Sequence, residues 1–177
     1  MTIPIPIKGK GPSPRRDFAV AQLDHRVFIH GGYNSRDGPL ADFFMLDLKT
    51  MKWIEIENSG IPKGYTYHSL SPVSPSQLLL VGGKAGFPDT SNRVALFDVI
   101  GSKWEEEAPL PTQFSGNDRG RSFALEEQQA FVTRNETAVS VVCIGGAFFR
   151  NIHELVHPEY MIVFDFSIEN YDTVVPS

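Results

Sequence analysis

Short apolar runs alternate with polar, turn-forming segments along the chain, and three of these runs end alike. They finish in a glycine pair, at residues 27–32, 78–83 and 141–146, and the pair occurs nowhere else in the sequence. A short apolar run that is bounded by turn residues is typical of a buried β-strand. The pattern therefore predicts three related strands, each of which leads into a tight turn.

A second apolar run follows each glycine pair and ends in aspartate, at Asp47, Asp98 and Asp165. An aromatic residue stands six positions beyond each aspartate, and these residues are Trp53, Trp104 and Tyr171. The first two copies lie 51 residues apart, whereas the third follows after 63 residues at the glycines and 67 at the aspartate. This spacing predicts a structural repeat whose third copy carries insertions.

The repeat resembles the kelch repeat, which has a period of ~50 residues and forms one blade of a β-propeller. The resemblance implies an all-β fold of three four-stranded antiparallel blades. A glycine pair at the end of a buried strand permits positive φ and close approach of two backbones. A large aromatic on the outer strand can fill the wedge between neighbouring blades. Because propellers close with ~4–8 blades, we expect a partial, open propeller.

The repeat also divides the chain. We expect residues 1–11 to be an extended arm or the outer strand of a preceding blade, because their prolines cannot donate to a central ladder. The three repeats then occupy residues 12–60, 61–111 and 112–177. Their innermost strands are predicted at residues 18–22, 65–70 and 121–125. The turns that follow are expected at residues 24–26 and 71–76, whereas in the third repeat the stretch from residue 126 up to Ala138 is expected to form an extended hairpin.

Composition narrows the range of partners. A net charge of −5 gives no general basis for binding nucleic acid, which clustered Lys and Arg drive.

The longest apolar stretch, residues 139–149, is interrupted by Ser140 and by glycines and is too short to span a membrane. Cys143 is the single cysteine, so no intrachain disulfide can form. With no secretory signal pattern at the N-terminus, these features favour a cytoplasmic protein.

The sequence contains little evidence for a catalytic site. His153 and His157 flank a His-Glu-x-x-His sequence, but that zinc motif needs a helix and Pro158 disfavours one. The copper-dependent kelch-like oxidases need a Cys-crosslinked Tyr, whereas Cys143 lies inside an apolar strand. His68 is expected to fill the core, as a kelch-like histidine does at that position. We therefore predict no catalytic residue, no metal site and no cofactor.

Strand direction places one set of connections at the same end of the blades. These are the connections into the first strand and from the second strand to the third, at residues 8–17, 33–42, 58–64, 84–92, 108–120 and 147–160. We call this end the loop face. Rigid scaffolds commonly carry binding residues on such loops. The candidate partner-binding residues are Arg15, Arg16, Tyr33, Asn34, Arg36, Tyr65, Lys84, Phe87, Arg119, Arg121, Phe148 and Arg150.

We expect a protein–protein interaction module or scaffold that binds its partner through this loop face. Seven of the nine arginines lie in or beside these loops, which favours an acidic or carboxylate-bearing partner segment. Internal pairing of these arginines with loop aspartates is the alternative. Two other functions stay open: an enzyme domain of the kelch-like oxidase or sugar-epimerising type, and a substrate-receptor segment of a ubiquitin ligase. The open blade faces further predict completion of the propeller by a second copy or by a longer chain.

Overall fold

A computed structural model describes residues 4–57, 64–86, 89–90, 93–105, 108–109, 126–134, 138–151, 154–156 and 162–167. All the regular elements within these ranges are β-strands, and they form antiparallel sheets that follow one another along the chain. The innermost strands of successive sheets lie side by side. The prediction of an all-β fold built from four-stranded antiparallel blades is thereby confirmed.

Blade one is a sheet with a small hairpin in the connection between its second and third strands. In chain order its elements are β1 (Ala19–Leu23), β2 (Arg26–His30), β3 (Tyr33–Asn34), β4 (Gly38–Pro39), β5 (Phe43–Asp47) and β6 (Lys52–Ile56). The sheet order is β1-β2-β5-β6, and β3 pairs with β4. Chain order and sheet order thus agree with a four-stranded kelch blade.

Blade two repeats this order with one addition, a short final strand. Its elements are β7 (Ser69–Ser74), β8 (Gln77–Val81), β9 (Lys84–Gly86), β10 (Asp89–Thr90), β11 (Arg93–Asp98), β12 (Lys103–Trp104) and β13 (Ala108–Pro109). The sheet order is β12-β11-β8-β7, with β13 also paired to β11. The first strand was predicted at residues 65–70, but β7 begins at Ser69, so that prediction was wrong in position. Residues 71–74 were predicted to lie in a turn, but they belong to β7. Pro72 is tolerated because β7 is an edge strand with a register shift beside it.

Blade three departs most from the expected boundaries. Its elements are β14 (Glu126–Arg134), β15 (Ala138–Asn151), β16 (Glu154–Val156) and β17 (Ile162–Ser167). Residues 126–129 pair with the far end of β15, which agrees with the extended hairpin predicted for this stretch. The third glycine pair lies inside β15 rather than at its end, because the longer β14 continues the pairing past it. The expected innermost strand at 121–125 lies outside the described residues.

The repeated aspartate ends the third strand by capping the turn that follows. Asp47 Oδ1 accepts hydrogen bonds from the backbone N–H of Lys49 at 2.8 Å and of Thr50 at 3.3 Å. The carboxylate of Asp98 does the same for Ile100 at 3.0 Å and Gly101 at 3.1 Å. A carboxylate that binds backbone N–H groups two and three residues on forms an Asx-type turn. This chemistry explains why the apolar runs of the first two blades end in Asp.

The glycine pairs have the backbone geometry expected of them in the first two blades. Gly31 and Gly32 have φ of 61° and 96°, and Gly82 and Gly83 have φ of 66° and 99°. A Cβ on Gly32 would lie 2.7 Å from the carbonyl oxygen of Arg16, and one on Gly83 would lie 2.7 Å from the Cβ of His68. Both positive φ and close approach therefore require glycine at these positions.

Blades one and two join through a core of aromatic and aliphatic side chains. The forward face of blade one presents Ala19, Ala21, Phe28, His30 and Phe43. The rear face of blade two presents Leu70, Leu78, Leu80, Phe97 and Trp104. The ring centroids of Phe43 and Phe97 lie 4.7 Å apart, and that of Trp104 lies 5.4 Å from that of Phe43. The prediction that an outer-strand aromatic fills the wedge between blades is confirmed for Trp104.

The N-terminal segment lies along the outer edge of blade one. The backbone N–H of Lys8 donates to Met51 O at 2.8 Å, and that of Trp53 donates to Lys8 O at 2.9 Å. Gly11 lies so close to the indole of Trp53 that a Cβ there would meet its Nε1 at 2.7 Å. This segment therefore covers part of β6. The assignment of residues 1–11 to a preceding blade stays a prediction.

Substitution of the glycine pairs tests this register. We expect Gly32→Val and Gly83→Val to cost more than about 4 kcal/mol, because each combines backbone strain with a steric clash. Gly38→Ala should cost only about 1–2 kcal/mol, since Gly38 has φ of 79° but nothing lies within 4 Å of an added Cβ. Thermal and urea unfolding measure both effects. Equal losses in the two classes would contradict the close approach described here.

Candidate functional site

Two backbone bridges of the same form build the loop face at the seam between blades one and two. In blade one, the N–H groups of Arg16 and Tyr33 donate to each other's carbonyls at 3.0 and 2.8 Å. In blade two, Thr66 and Lys84 form the same pair of bonds at 2.9 and 2.8 Å. The N–H of Tyr67 also donates to Asp17 O across the seam at 3.0 Å. The loops are thus held by backbone bonds, and their side chains are carried on a fixed frame.

An open depression of about 230 Å³ lies at this seam. Arg16, Asp17, Tyr33 and Pro39 line it from blade one, and Thr66, Tyr67 and Lys84 line it from blade two. The structure therefore brings three of the predicted residues together: Arg16, Tyr33 and Lys84. The predictions missed Asp17, Pro39, Thr66 and Tyr67. No sequence signal pointed to Asp17 and Tyr67 as a pair, because the 51-residue spacing aligns Asp17 with His68. Only the structure shows that Asp17 and Tyr67 stand at equivalent places before the innermost strands, with φ of 57° and 58°.

Arg16 is the exposed cation of this depression. Its side chain is 63% exposed, and its Nη1 lies 2.5 Å from Asp17 Oδ2 and 3.4 Å from the hydroxyl of Tyr67. The guanidinium stands over the ring of Tyr33, with Cζ 4.7 Å from the centroid, which is the geometry of a cation–π contact. Tyr67 and Asp17 raise the pKa of Arg16 further above its ordinary value. The charge is therefore held in one place and stays open to solvent.

Arg15 is buried within blade one, and Tyr65 is buried at the seam. The side chain of Arg15 is only 3% exposed, and its guanidinium pairs with both carboxylate oxygens of Asp42 and donates to Gly31 O at 2.9 Å. Tyr65 is buried, and its backbone oxygen accepts the N–H of Gly32 at 2.8 Å. For Arg15 the geometry matches internal pairing, the alternative that the sequence left open. These two residues stabilise the frame rather than present a surface.

The remaining candidates are spread more widely. The side chain of Asn34 caps its own loop, since Oδ1 accepts the N–H groups of Arg36 at 3.0 Å and Asp37 at 2.6 Å. Arg36 is exposed, with Nε 3.8 Å from Asp37 Oδ1. Five others have no described side chain: Phe87, Arg119 and Arg121 lie outside the described residues, and Phe148 and Arg150 are described only as backbone of β15.

His30 and His68 form a buried pair beneath the loop face. Their Nδ1 and Nε2 atoms lie 2.9 Å apart, so one ring donates and the other accepts. Burial lowers the pKa of His30 to about 4, with Arg15 lowering it further and Asp42 opposing the shift. Burial and the neighbouring His30 also hold the pKa of His68 well below its ordinary value. Both rings are therefore neutral at physiological pH, and the prediction that His68 fills the core is confirmed.

The described parts of the chain contain no group of three or more His, Cys, Asp or Glu side chains that could hold a metal ion. His153 and His157 lie outside the described residues, but Glu154–Val156 between them is a strand, whereas the zinc motif requires a helix. Within the described ranges, no helix has the length and apolar character needed to cross a membrane.

Comparison with known families supports the repeat and the fold. A family model, the KLHDC2/KLHL20/DRC7 Kelch-repeats domain, matches residues 2–165. The chain belongs to the kelch-repeat family. Family membership agrees with a module that binds protein partners in a general sense, and it leaves the particular partner undefined. The resemblance inferred from the glycine pairs and aspartates is confirmed by this match.

Several curated kelch relatives align with parts of the chain. Kelch domain-containing protein 2 of Bos taurus is 43% identical over 76 residues, which cover 42% of this chain and 18% of that protein. Tip elongation aberrant protein 3 of Schizosaccharomyces pombe is 35% identical over 30% of this chain and 5% of its own length. Adagio-like protein 3 of Oryza sativa is 29% identical over 59% of this chain and 18% of its own length. The chain thus spans less than a fifth of each of these relatives.

The adjacent arginines should respond differently to substitution. We expect Arg15→Met to destabilise the protein by about 2 kcal/mol or more, because it leaves the Asp42 carboxylate without its partner. Arg16→Met, which removes an exposed side chain, should leave the midpoint of thermal unfolding nearly unchanged. Urea unfolding of both variants measures the difference. A stable Arg15→Met protein would show that the Asp42 pair does not stabilise blade one.

The histidine pair predicts a loss of stability in mild acid. The unfolded pKa of His is about 6.5 and the folded pKa of His30 is about 4. Stability is therefore complete above about pH 6.5 and falls as the pH drops towards 4, because the unfolded chain binds the proton more strongly. Between about pH 7 and pH 5, His30 alone should contribute a loss of about 2 kcal/mol.

A control variant can use the residues that stand at the equivalent positions of the other repeat. Val81 is equivalent to His30, and Phe18 is equivalent to His68. The double variant His30→Val with His68→Phe should lose less stability than the wild type over the same pH range. Urea unfolding at each pH measures this, with circular dichroism to verify the fold. An unchanged pH dependence would show that other groups cause the acid sensitivity.

Proposed function

We propose that this protein is a non-enzymatic interaction module that binds a protein partner through the depression at the seam of blades one and two. The single observation that carries the proposal is the fixed, exposed guanidinium of Arg16 over Tyr33. Binding residues on loops that a rigid scaffold positions are typical of interaction surfaces. We place the module in the cytoplasm because its single cysteine allows no intrachain disulfide.

The chemistry of the depression favours an acidic segment of the partner. Arg16 and Lys84 supply positive charge from the two blades, and Tyr33 and Tyr67 add aromatic surface between them. A guanidinium can donate to a carboxylate in bidentate fashion, which fixes direction as well as attraction. Arginine and tyrosine are also enriched among the residues that dominate binding energy at interfaces.

Asp17 sets a condition on this binding. Its Oδ2 lies 2.5 Å from Arg16 Nη1, so an incoming carboxylate must share the guanidinium with it or displace it. Sharing is feasible because a guanidinium carries five N–H donors and this side chain is largely exposed. Replacement of Asp17 by Asn should therefore strengthen binding of an acidic peptide. This effect distinguishes a specific pocket from general attraction to positive charge.

A peptide titration tests the proposal. The probe is a fluorescently labelled peptide that alternates Asp and Ser, with the corresponding Asn-Ser peptide as its neutral control. We expect the acidic peptide to bind the wild type, Asp17→Asn to bind it more tightly, and Arg16→Glu to lose most of the affinity. Binding should also weaken as salt rises through the range in which exposed charges are screened. Fluorescence anisotropy measures all of these affinities.

Lys49→Glu is the matched control, because it makes the same charge change in an exposed turn at the opposite end of blade one. It should leave peptide binding unchanged. Equal loss in Arg16→Glu and Lys49→Glu would attribute binding to net charge and reject the depression as the site. A neutral peptide that binds as tightly as the acidic one would reject it too. Among the described residues, no observation favours the enzyme or the ligase-receptor alternative, and we propose neither.

A further inference from the structure

The sequence contains three Ser-Pro pairs, which begin at Ser13, Ser71 and Ser74. Ser71 and Ser74 both lie in β7 of blade two. Ser71 is only 7% exposed, and the hydroxyl of Ser74 donates to Gln77 Oε1 at 3.1 Å within its own hairpin. Ser13 is exposed in the segment that leads into blade one. Of the three hydroxyls, that of Ser13 is the one that lies on the surface outside a strand.

The backbone around Ser13 is extended and accessible. Backbone bridges hold the chain at Lys8 and at Arg16, and residues 9–15 between them belong to no strand. Pro14 follows Ser13 directly, and the residue before a proline is biased towards extended backbone. An exposed, extended segment of this kind can enter the substrate cleft of a protein kinase.

The residues that follow Ser13 match one class of protein kinase. Serine followed directly by proline, with a basic residue three positions on, is the pattern that this class of proline-directed kinases recognises. Arg16 stands at that position and is 63% exposed, so its guanidinium can pair with an acidic group of the kinase. The same position holds serine after Ser71 and Gln77 after Ser74. Ser13 therefore combines the exposure and the sequence that such a kinase requires.

A phosphate on Ser13 would meet hydrogen-bond donors that are already in place. Arg15 Nη2 donates to Ser13 Oγ at 3.1 Å, and Arg15 Nε donates to Ser13 O at 3.0 Å. Asn34 Nδ2 lies 3.5 Å from the same Oγ. Hydrogen bonds from a guanidinium to a phosphate are roughly twice as strong as those between neutral groups.

Two carboxylates oppose the added charge without taking these donors away. Asp42 Oδ2 accepts from Arg15 Nη2 at 2.7 Å, and Asp37 Oδ2 accepts from Asn34 Nδ2 at 3.0 Å. Each of these nitrogens carries two N–H groups, so each can serve a carboxylate and a phosphate together. The phosphate can thus be held without loss of the Asp42 ion pair.

We propose that Ser13 is a phosphorylation site for a proline-directed serine kinase, and that its phosphate weakens the binding of an acidic segment at the depression. ATP supplies the phosphoryl group. The bond from its γ-phosphorus to the bridging oxygen breaks, a new bond forms to Ser13 Oγ, ADP leaves, and the hydroxyl proton passes to the catalytic aspartate of the kinase. The effect on binding rests on the proposed function, whereas the modification site does not.

The phosphate acts on the depression through its charge. Phosphoserine carries about −1.5 to −2 charges at pH 7. Three residues of extended chain, from Ser13 to Arg16, span at most ~11 Å, which is comparable to the screening length at physiological salt. Asn34, which contacts Ser13, is also the neighbour of Tyr33, over which Arg16 lies. The added negative charge therefore opposes the approach of an acidic segment to Arg16.

Phosphorylation of the intact chain tests the modification site. The probes are a purified cyclin-dependent kinase and ATP, and the readout is the intact mass followed by peptide mapping. We expect one phosphate on Ser13 of the wild type and none on Ser13→Ala. Ser74→Ala, which removes the hydroxyl of another Ser-Pro pair, is the matched control and should leave the phosphate count unchanged. Arg16→Met should slow incorporation by about 10-fold or more, because it removes a charged contact to the kinase.

Three outcomes would overturn the site. A wild type without phosphate on Ser13 would show that the kinase cannot use this segment. Equal incorporation into Ser13→Ala would place the phosphate on another residue. Incorporation that depends on Ser74 rather than on Ser13 would show that exposure outside a strand does not select the acceptor. Circular dichroism verifies that every variant keeps the β fold.

Fluorescence anisotropy with the Asp-Ser peptide measures the effect on binding. The phosphorylated protein, freed of kinase, should bind this peptide at least ~5-fold more weakly than the unphosphorylated protein, and phosphatase treatment should restore the affinity. Ser13→Ala should bind like the unphosphorylated wild type. An affinity that phosphorylation leaves unchanged would reject this effect. A peptide that fails to bind even the unphosphorylated protein would reject the proposed function and the effect with it, while the mass alone decides the site on Ser13.

Discussion

The close approach of backbones at the glycine pairs is the constraint on which the arrangement of blades depends. The N–H of Gly32 donates to Tyr65 O at 2.8 Å, and its carbonyl accepts the N–H of Leu40 at 2.7 Å. A Cβ on Gly31 would lie 2.5 Å from the same Tyr65 oxygen. The strand of one blade and the linker to the next therefore share a space that admits no side chain. Blade packing and loop position are set together at this point.

The neighbouring arginines show how one short segment serves both architecture and recognition. Arg15 turns inward, donates to the carbonyl of Gly31 and pairs with Asp42, so it fixes the ends of the second and third strands. Arg16 turns outward over Tyr33, in agreement with the alternation of side chains along an extended backbone. The inward residue holds the frame, and the outward residue is available to a partner. Residues adjacent in sequence can thus have opposite roles.

The sequence predicted those parts of the fold that depend on backbone geometry at the glycine pairs and on the packing of a large aromatic side chain. The glycine pairs and Trp104 stand at fixed spacing, whereas the capping role of the aspartates is seen only in the structure. Strand limits in blades two and three were predicted poorly, because pairing partners override the low strand propensity of Pro72 and of Glu126. The candidate site could not be predicted fully, because spacing along the chain does not give the direction of a side chain. Spacing placed Arg15 and Arg16 on one face, but only the structure shows that Arg15 forms an ion pair with Asp42.

One irregularity has a practical consequence for the design of labelled forms of this protein. Blade two has one more residue in its first hairpin than blade one, and the register shift between Pro72 and Ser74 absorbs it. Beyond that shift, Leu70 and Leu80 still face each other as Val20 and Ile29 do. Changes in chain length at this end of a blade are thus corrected locally before they reach the seam. The hairpin at Pro75 and Ser76 is accordingly a suitable place to insert a fluorophore-binding tag or an epitope, far from the loop face and with the blade interface intact.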